Sequence, residues 1–173
     1  MIFVGYWKKE LIQNAKKLCF WYKCLKIYPS YAEHQINKMV LYSAVIMRKL
    51  FEDEKHAETT IKKADMPMPL LKLLEYKVKV SVYPFLSDEE FIIENVIPEI
   101  YDCKNAIIEE IELNKLCNQI IHSYVWSVSY SKQSKKLKGL LFASDKAKAK
   151  ELYLLELNEF IKAINFCVEN GNI

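Results

Sequence analysis

The chain changes its hydrophobic period at His122, and that break limits what it can fold into. From Ile107 to His122, the residues Ile107, Ile111, Leu113, Leu116, Cys117, Ile120 and Ile121 gather on one broad arc of a helix. Immediately afterwards Tyr124, Trp126, Val128 and Tyr130 alternate with Ser127, Ser129 and Ser131, which is the period of a strand. The spacing therefore predicts a helix that begins near Asn105 and runs straight into a sheet. Asn114, Asn118 and His122 follow one another at i, i+4, i+8 along the edge of the apolar arc, while Glu112, Lys115 and Gln119 face water. Two amides and an imidazole in a row are a candidate site, although polar groups at a core boundary more commonly bond to neighbouring backbone.

The rest of the pattern supplies the partners for this segment. A first helix is expected from about Tyr6 to Ile27, with Leu11, Ala15, Leu18, Tyr22 and Leu25 recurring at helical spacing. Ser30 and Glu33 have the spacing of a capping box and open a second helix, from about Tyr31 to Glu54. Ile36, Met39, Val40, Ser43, Met47, Leu50 and Phe51 form one face of it, and Leu41, Tyr42 and Val45 lie outside that face. A helix apolar on nearly every side is expected at the centre of a bundle. From Asp53 to Pro69 the chain is charged and carries Pro67 and Pro69, which reads as a connection with a helical turn near Thr60 and an exposed His56. Leu70 to Leu74 is a short helix or an extended lead-in.

Tyr76 to Tyr83 alternates with β-branched residues and predicts a half-buried strand that Pro84 ends. Ser87-Asp88-Glu89-Glu90 is a second capping box, opening a helix through Phe91, Ile92 and Val96 that Pro98 ends or bends. After His122 come three strands: the alternating run, Leu137 to Phe142, and Leu152 to Leu157. Asn158 caps a closing helix, Glu159 to Glu169, and Gly171 stops it. The expectation is an α+β fold: a bundle of four or five helices with a small antiparallel sheet. Residues 1–173 form a single domain that ends in the β-meander and the closing helix.

Composition narrows the function classes. With 173 residues and 51% apolar side chains the chain can bury a sizeable core, and its net charge of +3 does not by itself announce nucleic acid. The scattered cysteines (Cys19, Cys24, Cys103, Cys117, Cys167) read as small buried hydrophobes in a reducing compartment. No stretch approaches twenty apolar residues and no secretory leader is visible, so a cytoplasmic protein that does not engage a membrane is expected. Three glycines leave no phosphate-cradling loop, and unpaired histidines leave no zinc spacing. No cofactor and no metal are expected. Lys132, Lys135, Lys136, Lys138, Lys146, Lys148 and Lys150 crowd the loops of the meander beside Trp126 and Tyr130, where Lys135, Lys136, Lys146 and Lys148 could hold an RNA backbone.

Arg48 is the only arginine in a lysine-rich chain. Its planar fork cannot be copied by lysine, and a simple i, i+4 ion pair with Glu52 is the plainest use for it.

Cys117-Asn118-Gln119-Ile120-Ile121-His122, on a helix late in the chain, resembles the R-N-x-x-x-H motif of HEPN-domain proteins. Met47-Arg48-Lys49-Leu50 and Cys117 to His122 together are similar to the I-R-K-L and C-N-x-I-I-H segments of a group of bacterial HEPN-like proteins. The resemblance implies a helical bundle, frequent homodimers, and metal-independent RNA cleavage as a toxin or phage-defence factor, with a cognate antitoxin or defence partner. It also implies that His122 moves a proton during attack by the ribose 2′-hydroxyl. Cys117 stands where the motif has its arginine. Arg48, on the core helix, is the candidate replacement, which makes His122, Asn118 and Arg48 the expected catalytic set. The alternative is a HEPN-like binding or regulatory module without catalysis, in which Arg48, Asn114, Asn118 and His122 form a structural polar network.

Overall fold

The computed structural model describes residues 2–24, 29–63, 72–86, 100–130 and 137–171. The second capping box with its helix through Val96, Pro98, and the Lys132–Lys136 turn lie outside those residues. So do Pro67 and Pro69.

Helix α1 (Ile2–Cys24) packs Leu11, Ala15 and Leu18 against α2 (Pro29–Lys63). Proline suits the first helical position because it has no N–H to leave unpaired. Ser30 is therefore already inside the helix rather than before it, and Glu33 accepts a hydrogen bond from the Tyr130 phenol instead of reaching back to the helix start. The helix does not stop at Glu54 but runs through the expected connection as far as Lys63. Ion pairs Lys49–Asp53 at 2.7 Å and Glu58–Lys62 at 2.6 Å line its outer face. The Thr59 and Thr60 hydroxyls donate to the carbonyls of Lys55 and His56, so the charged composition here is that of a solvated helix. Such i, i+4 pairs each add about 0.2–0.5 kcal/mol. Nor is α2 enclosed: Leu41 and Val45 are each 46% exposed, leaving one side of it open to water.

A one-turn helix, α3 (Lys72–Glu75), follows, and the Leu73 amide donates to the buried carboxylate of Glu54 at 3.0 Å. The chain then builds β1 (Lys77–Pro84), β2 (Ile107–Glu112), α4 (Leu113–Ile121), β3 (Ser123–Tyr130), β4 (Leu137–Ser144), β5 (Glu151–Glu156) and α5 (Leu157–Asn170). The strands form one five-stranded antiparallel sheet in the order β2-β1-β5-β4-β3. The expected strand and meander are in it.

β2 is the departure, since Ile107 to Glu112 was expected to open the central helix. Ile107, Ile108 and Ile111 satisfy helical spacing, but β-branched side chains also suit a strand. Pairing with β1 decides the matter by setting Lys77 opposite Glu112 and Lys79 opposite Glu110. Opposite charges directly across two strands add about 0.2–1 kcal/mol each.

One face of the sheet carries the main core. Val78, Val80, Val82, Leu140, Phe142, Tyr153 and Leu155 join Ile111, Leu116, Ile120 and Phe160 there, under α4 and α5. The other face holds a smaller cluster of Tyr83, Leu152, Leu154 and Ala143 with Ile100 and Tyr101. Gly139 is required where β4 meets β5, because a Cβ there would stand 2.1 Å from the Leu155 carbonyl oxygen.

Helix α5 starts at Leu157, so Asn158 sits inside its first turn rather than capping it. Gly171 does follow its end, with its N–H on the Cys167 carbonyl. Cys117 and Cys167 are buried as expected, whereas Cys19 and Cys103 are exposed. Among the described residues no helix is long and apolar enough to cross a membrane.

Candidate functional site

Topology places the site. α4 leaves β2 at one edge of the sheet and delivers the chain to β3 at the other. Its nine residues span about 13.5 Å of a width of about 19 Å, four strand spacings, so the helix must lie across the sheet face. Leu113, Leu116, Cys117 and Ile120 are buried beneath it, and His122 emerges at the far edge as its C-terminal cap residue.

At that edge the helix end is latched to the turn between β4 and β5. The Ser144 amide donates to Gln119 Oε1 at 3.2 Å, and the Asp145 amide donates to the His122 carbonyl at 3.3 Å. From the opposite side the Tyr101 hydroxyl donates to the Lys148 carbonyl at 2.6 Å. Burial pushes the Tyr101 phenol up to about 12, so it holds that bond as a neutral donor. Between helix end and turn lies an open cleft of about 530 Å³ lined by Asn118, Gln119, His122, Ser144, Asp145 and Lys146. It faces solvent, and its polar groups are two amides, an imidazole, a hydroxyl, the Asp145 carboxylate and the Lys146 ammonium.

The expected residues divide around this cleft. Asn118 and His122 line it, and Asn118 Nδ2 donates to Asn114 Oδ1 at 3.4 Å. Arg48 does not join them. Its Nε is bonded to Glu52 Oε1 at 2.8 Å, the plain helical ion pair, and no hydrogen bond links it to Asn118 or His122 among the described residues. The four-residue network of Arg48, Asn114, Asn118 and His122 therefore reduces to the Asn114–Asn118 contact. Cys117 is fully buried. Burial pushes its thiol pKa well up, the neighbouring Cys167 adds to this, and the Arg48 guanidinium pulls the other way. The arginine position of the motif thus points into the core, away from the cleft.

Of the four lysines expected to meet RNA, Lys146 lines the cleft and Lys148 is held nearby. The Lys148 ammonium is 2.7 Å from Asp145 Oδ1 and 3.6 Å from the centroid of the Tyr124 ring. The bond to Asp145 raises its pKa. Lys135 and Lys136 lie outside the described residues. Gln119, Ser144, Asp145 and Tyr101 were not singled out from the sequence, and Gln119 was expected to face water. Its contact with Ser144 spans 25 residues, and no local spacing signals a bond of that range. Among the described residues no three His, Cys, Asp or Glu side chains are grouped to hold a metal ion.

No protein-family model, no curated protein and no solved structure matches this chain.

Proposed function

We propose that the cleft at the end of α4 binds an RNA phosphodiester and cleaves it without a metal, as a divergent HEPN-like ribonuclease of the toxin or phage-defence kind. The observation that carries this reading is the meeting of Asn118, His122 and Lys146 in one solvent-open cleft. In this scheme His122 takes the proton of the ribose 2′-hydroxyl as O2′ bonds to phosphorus. The P–O5′ bond breaks, the 5′-oxygen takes a proton from water, and the products are a 2′,3′-cyclic phosphate and a 5′-hydroxyl. Lys146, rather than Arg48, supplies the cation facing the charge that builds on the phosphorane. Asn118 orients the phosphate with its amide.

A second reading, a HEPN-like module that binds without cleaving, is favoured by the burial of Cys117 and by the Arg48–Glu52 pair. Measuring cleavage of a single-stranded oligoribonucleotide in the presence of EDTA separates the two. The nuclease predicts that His122→Ala lowers the rate about 10²- to 10⁴-fold and that Lys146→Ala lowers it about 10²- to 10³-fold. Binding of the oligonucleotide with no cleavage by the parent protein selects the binding module. Neither binding nor cleavage rejects both.

A further inference from the structure

The two edges of the sheet are built differently. β3, at one edge, loses register with β4 twice, between Ser123 and Val125 and again between Ser129 and Tyr130. Irregularities of this kind bend an edge strand and discourage further pairing. β2, at the other edge, pairs with β1 from Ile107 to Glu112 without a shift and contains no proline, glycine or lysine. Its Ile107 and Ile108 side chains, one on each face of the sheet, are 52% and 57% exposed. The backbone of β2 is open as well. In register with the ladder, the Leu113 N–H donates to the Tyr76 carbonyl at 3.1 Å. On the far side of β1 the Phe85 N–H donates to the Lys150 carbonyl at 2.9 Å, which fixes the same alternation from β5. Antiparallel pairs alternate between bonded and unbonded. Ile107, Glu109 and Ile111 therefore direct their N–H and C=O groups to β1, and those of Ile108 and Glu110 point away from it. Among the described residues nothing bonds to that outer side.

We propose that β2 is a docking edge for an extended, cationic segment of another protein, which adds to the sheet as a further antiparallel strand. In strand addition the main-chain bonds give affinity and the side chains choose the partner. Here the main-chain bonds go to Ile108 and Glu110, and the choice is set by charge. Glu110 and Glu112 project on one face beside Lys79 and Lys77 of β1, whereas Glu109 projects on the other, where β1 offers only Val80. A lysine or arginine opposite each glutamate completes a cross-strand pair of opposite charge, and β-branched residues opposite Ile107 and Ile108 cover the exposed isoleucines. A second copy of this chain fits less well. Two β2 strands set antiparallel, outer side to outer side, place Glu109 opposite Glu109 or Glu110 opposite Glu110 in the registers of greatest overlap. Like charges directly opposite are destabilising. Nor does β3 of another copy fit, because it has no charged residue to meet the glutamates. The inference is independent of the RNA reading, since β2 and the cleft lie at opposite edges of the sheet.

The probe is the peptide acetyl-Lys-Val-Lys-Lys-Val-Val-amide. Run antiparallel to β2, it sets lysine opposite Glu112, Glu110 and Glu109 and valine opposite Ile111, Ile108 and Ile107. Two contrasts accompany it. One peptide carries glutamate in place of each lysine. The other is the cationic peptide N-methylated at its third residue, which keeps every charge but removes the N–H aimed at the Glu110 carbonyl. Titrated into ¹⁵N-labelled protein, the cationic peptide should slow amide hydrogen exchange most at Ile108 and Glu110, whose N–H groups gain a partner. Glu109→Lys combined with Glu110→Lys should weaken its binding about tenfold. Ile108→Pro removes an outward N–H and none of the bonds to β1, so it should weaken binding about as much with both glutamates in place. The two variants guard against one that folds poorly. No binding of the cationic peptide, equal binding of the acidic or the N-methylated one, or binding that leaves Ile108 and Glu110 exchanging as before overturns the proposal. So does self-association of the protein that protects the same two amides, which would make β2 an interface between copies of this chain.

Discussion

The two sides of α4 carry neighbouring residues into opposite environments. On the sheet side Leu113, Leu116, Cys117 and Ile120 are sealed into the main core; on the other, Asn118, Gln119 and His122 border an open cleft. Cys117 and Asn118 are consecutive, yet one helical step of about 100° turns the first away from solvent and the second towards it. A motif written as a string treats both positions as equivalent members of a site. The helix does not. A cation needed in the cleft has to come from another element, and Lys146 on the turn after β4 is the one that lines it.

The sharpest way to break this contrast is to put an arginine back at Cys117. If the position truly belongs to the core, Cys117→Arg forces an unpaired charge into an apolar interior, and the protein should lose several kcal/mol or fail to fold. A folded, more active Cys117→Arg variant would show that the position reaches the cleft. Next in size is Leu116→Ala, which removes a fully buried side chain and should lower the unfolding free energy by about 2–5 kcal/mol in a denaturant titration. His122→Ala, on the open side, should change the same titration by less than about 0.5 kcal/mol, however large its effect on cleavage. A stability loss equal to that of Leu116→Ala would remove the distinction between the two sides.

The contrast extends along α2, where Glu54 is buried and Arg48 is partly exposed. Burial raises the Glu54 pKa, and the amides of Leu73 and Leu74 offset part of that shift. With the folded pKa above the unfolded one, the contribution of Glu54 is fully present below the unfolded value. It is lost as pH rises through the folded value. Thermal melts between pH 4 and pH 8 should therefore show a weaker decline, or a stronger rise, for Glu54→Gln than for the parent. Identical pH profiles would mean that the carboxyl ionises freely. The smallest effect is expected from Arg48→Lys, which keeps a cation beside Glu52 on the surface and should move stability by no more than about 0.5 kcal/mol with cleavage unchanged. A large loss of cleavage would return Arg48 to the catalytic set.

Much of the secondary structure was legible because it follows from local pattern. The inner face of α1, the alternation in β1, and the β3–β4–β5 meander are periodicities, and burial of alternate or every third-to-fourth side chain makes periodicity visible. The length of α2 was less legible. Charged residues from Asp53 onward resemble a connection until their i, i+4 pairing is seen as the outer face of a helix.

By itself, the sequence determined that helices and an antiparallel sheet share one fold, that the chain turns from helix to strand at His122, and that Asn118 and His122 sit at the edge of a buried arc. Each of these depends on neighbours a few residues apart. Tertiary structure alone decided that Ile107 to Glu112 is a strand, because the cross-strand charges of Lys77 and Lys79 lie some thirty positions away. It also decided which cation lines the cleft that His122 borders. Arg48, on α2, has an anion one turn along its own helix, and the ion pair forms locally. Lys146 reaches the cleft because α4 crosses the sheet to its far edge, where Gln119 and the His122 carbonyl bind the β4–β5 turn.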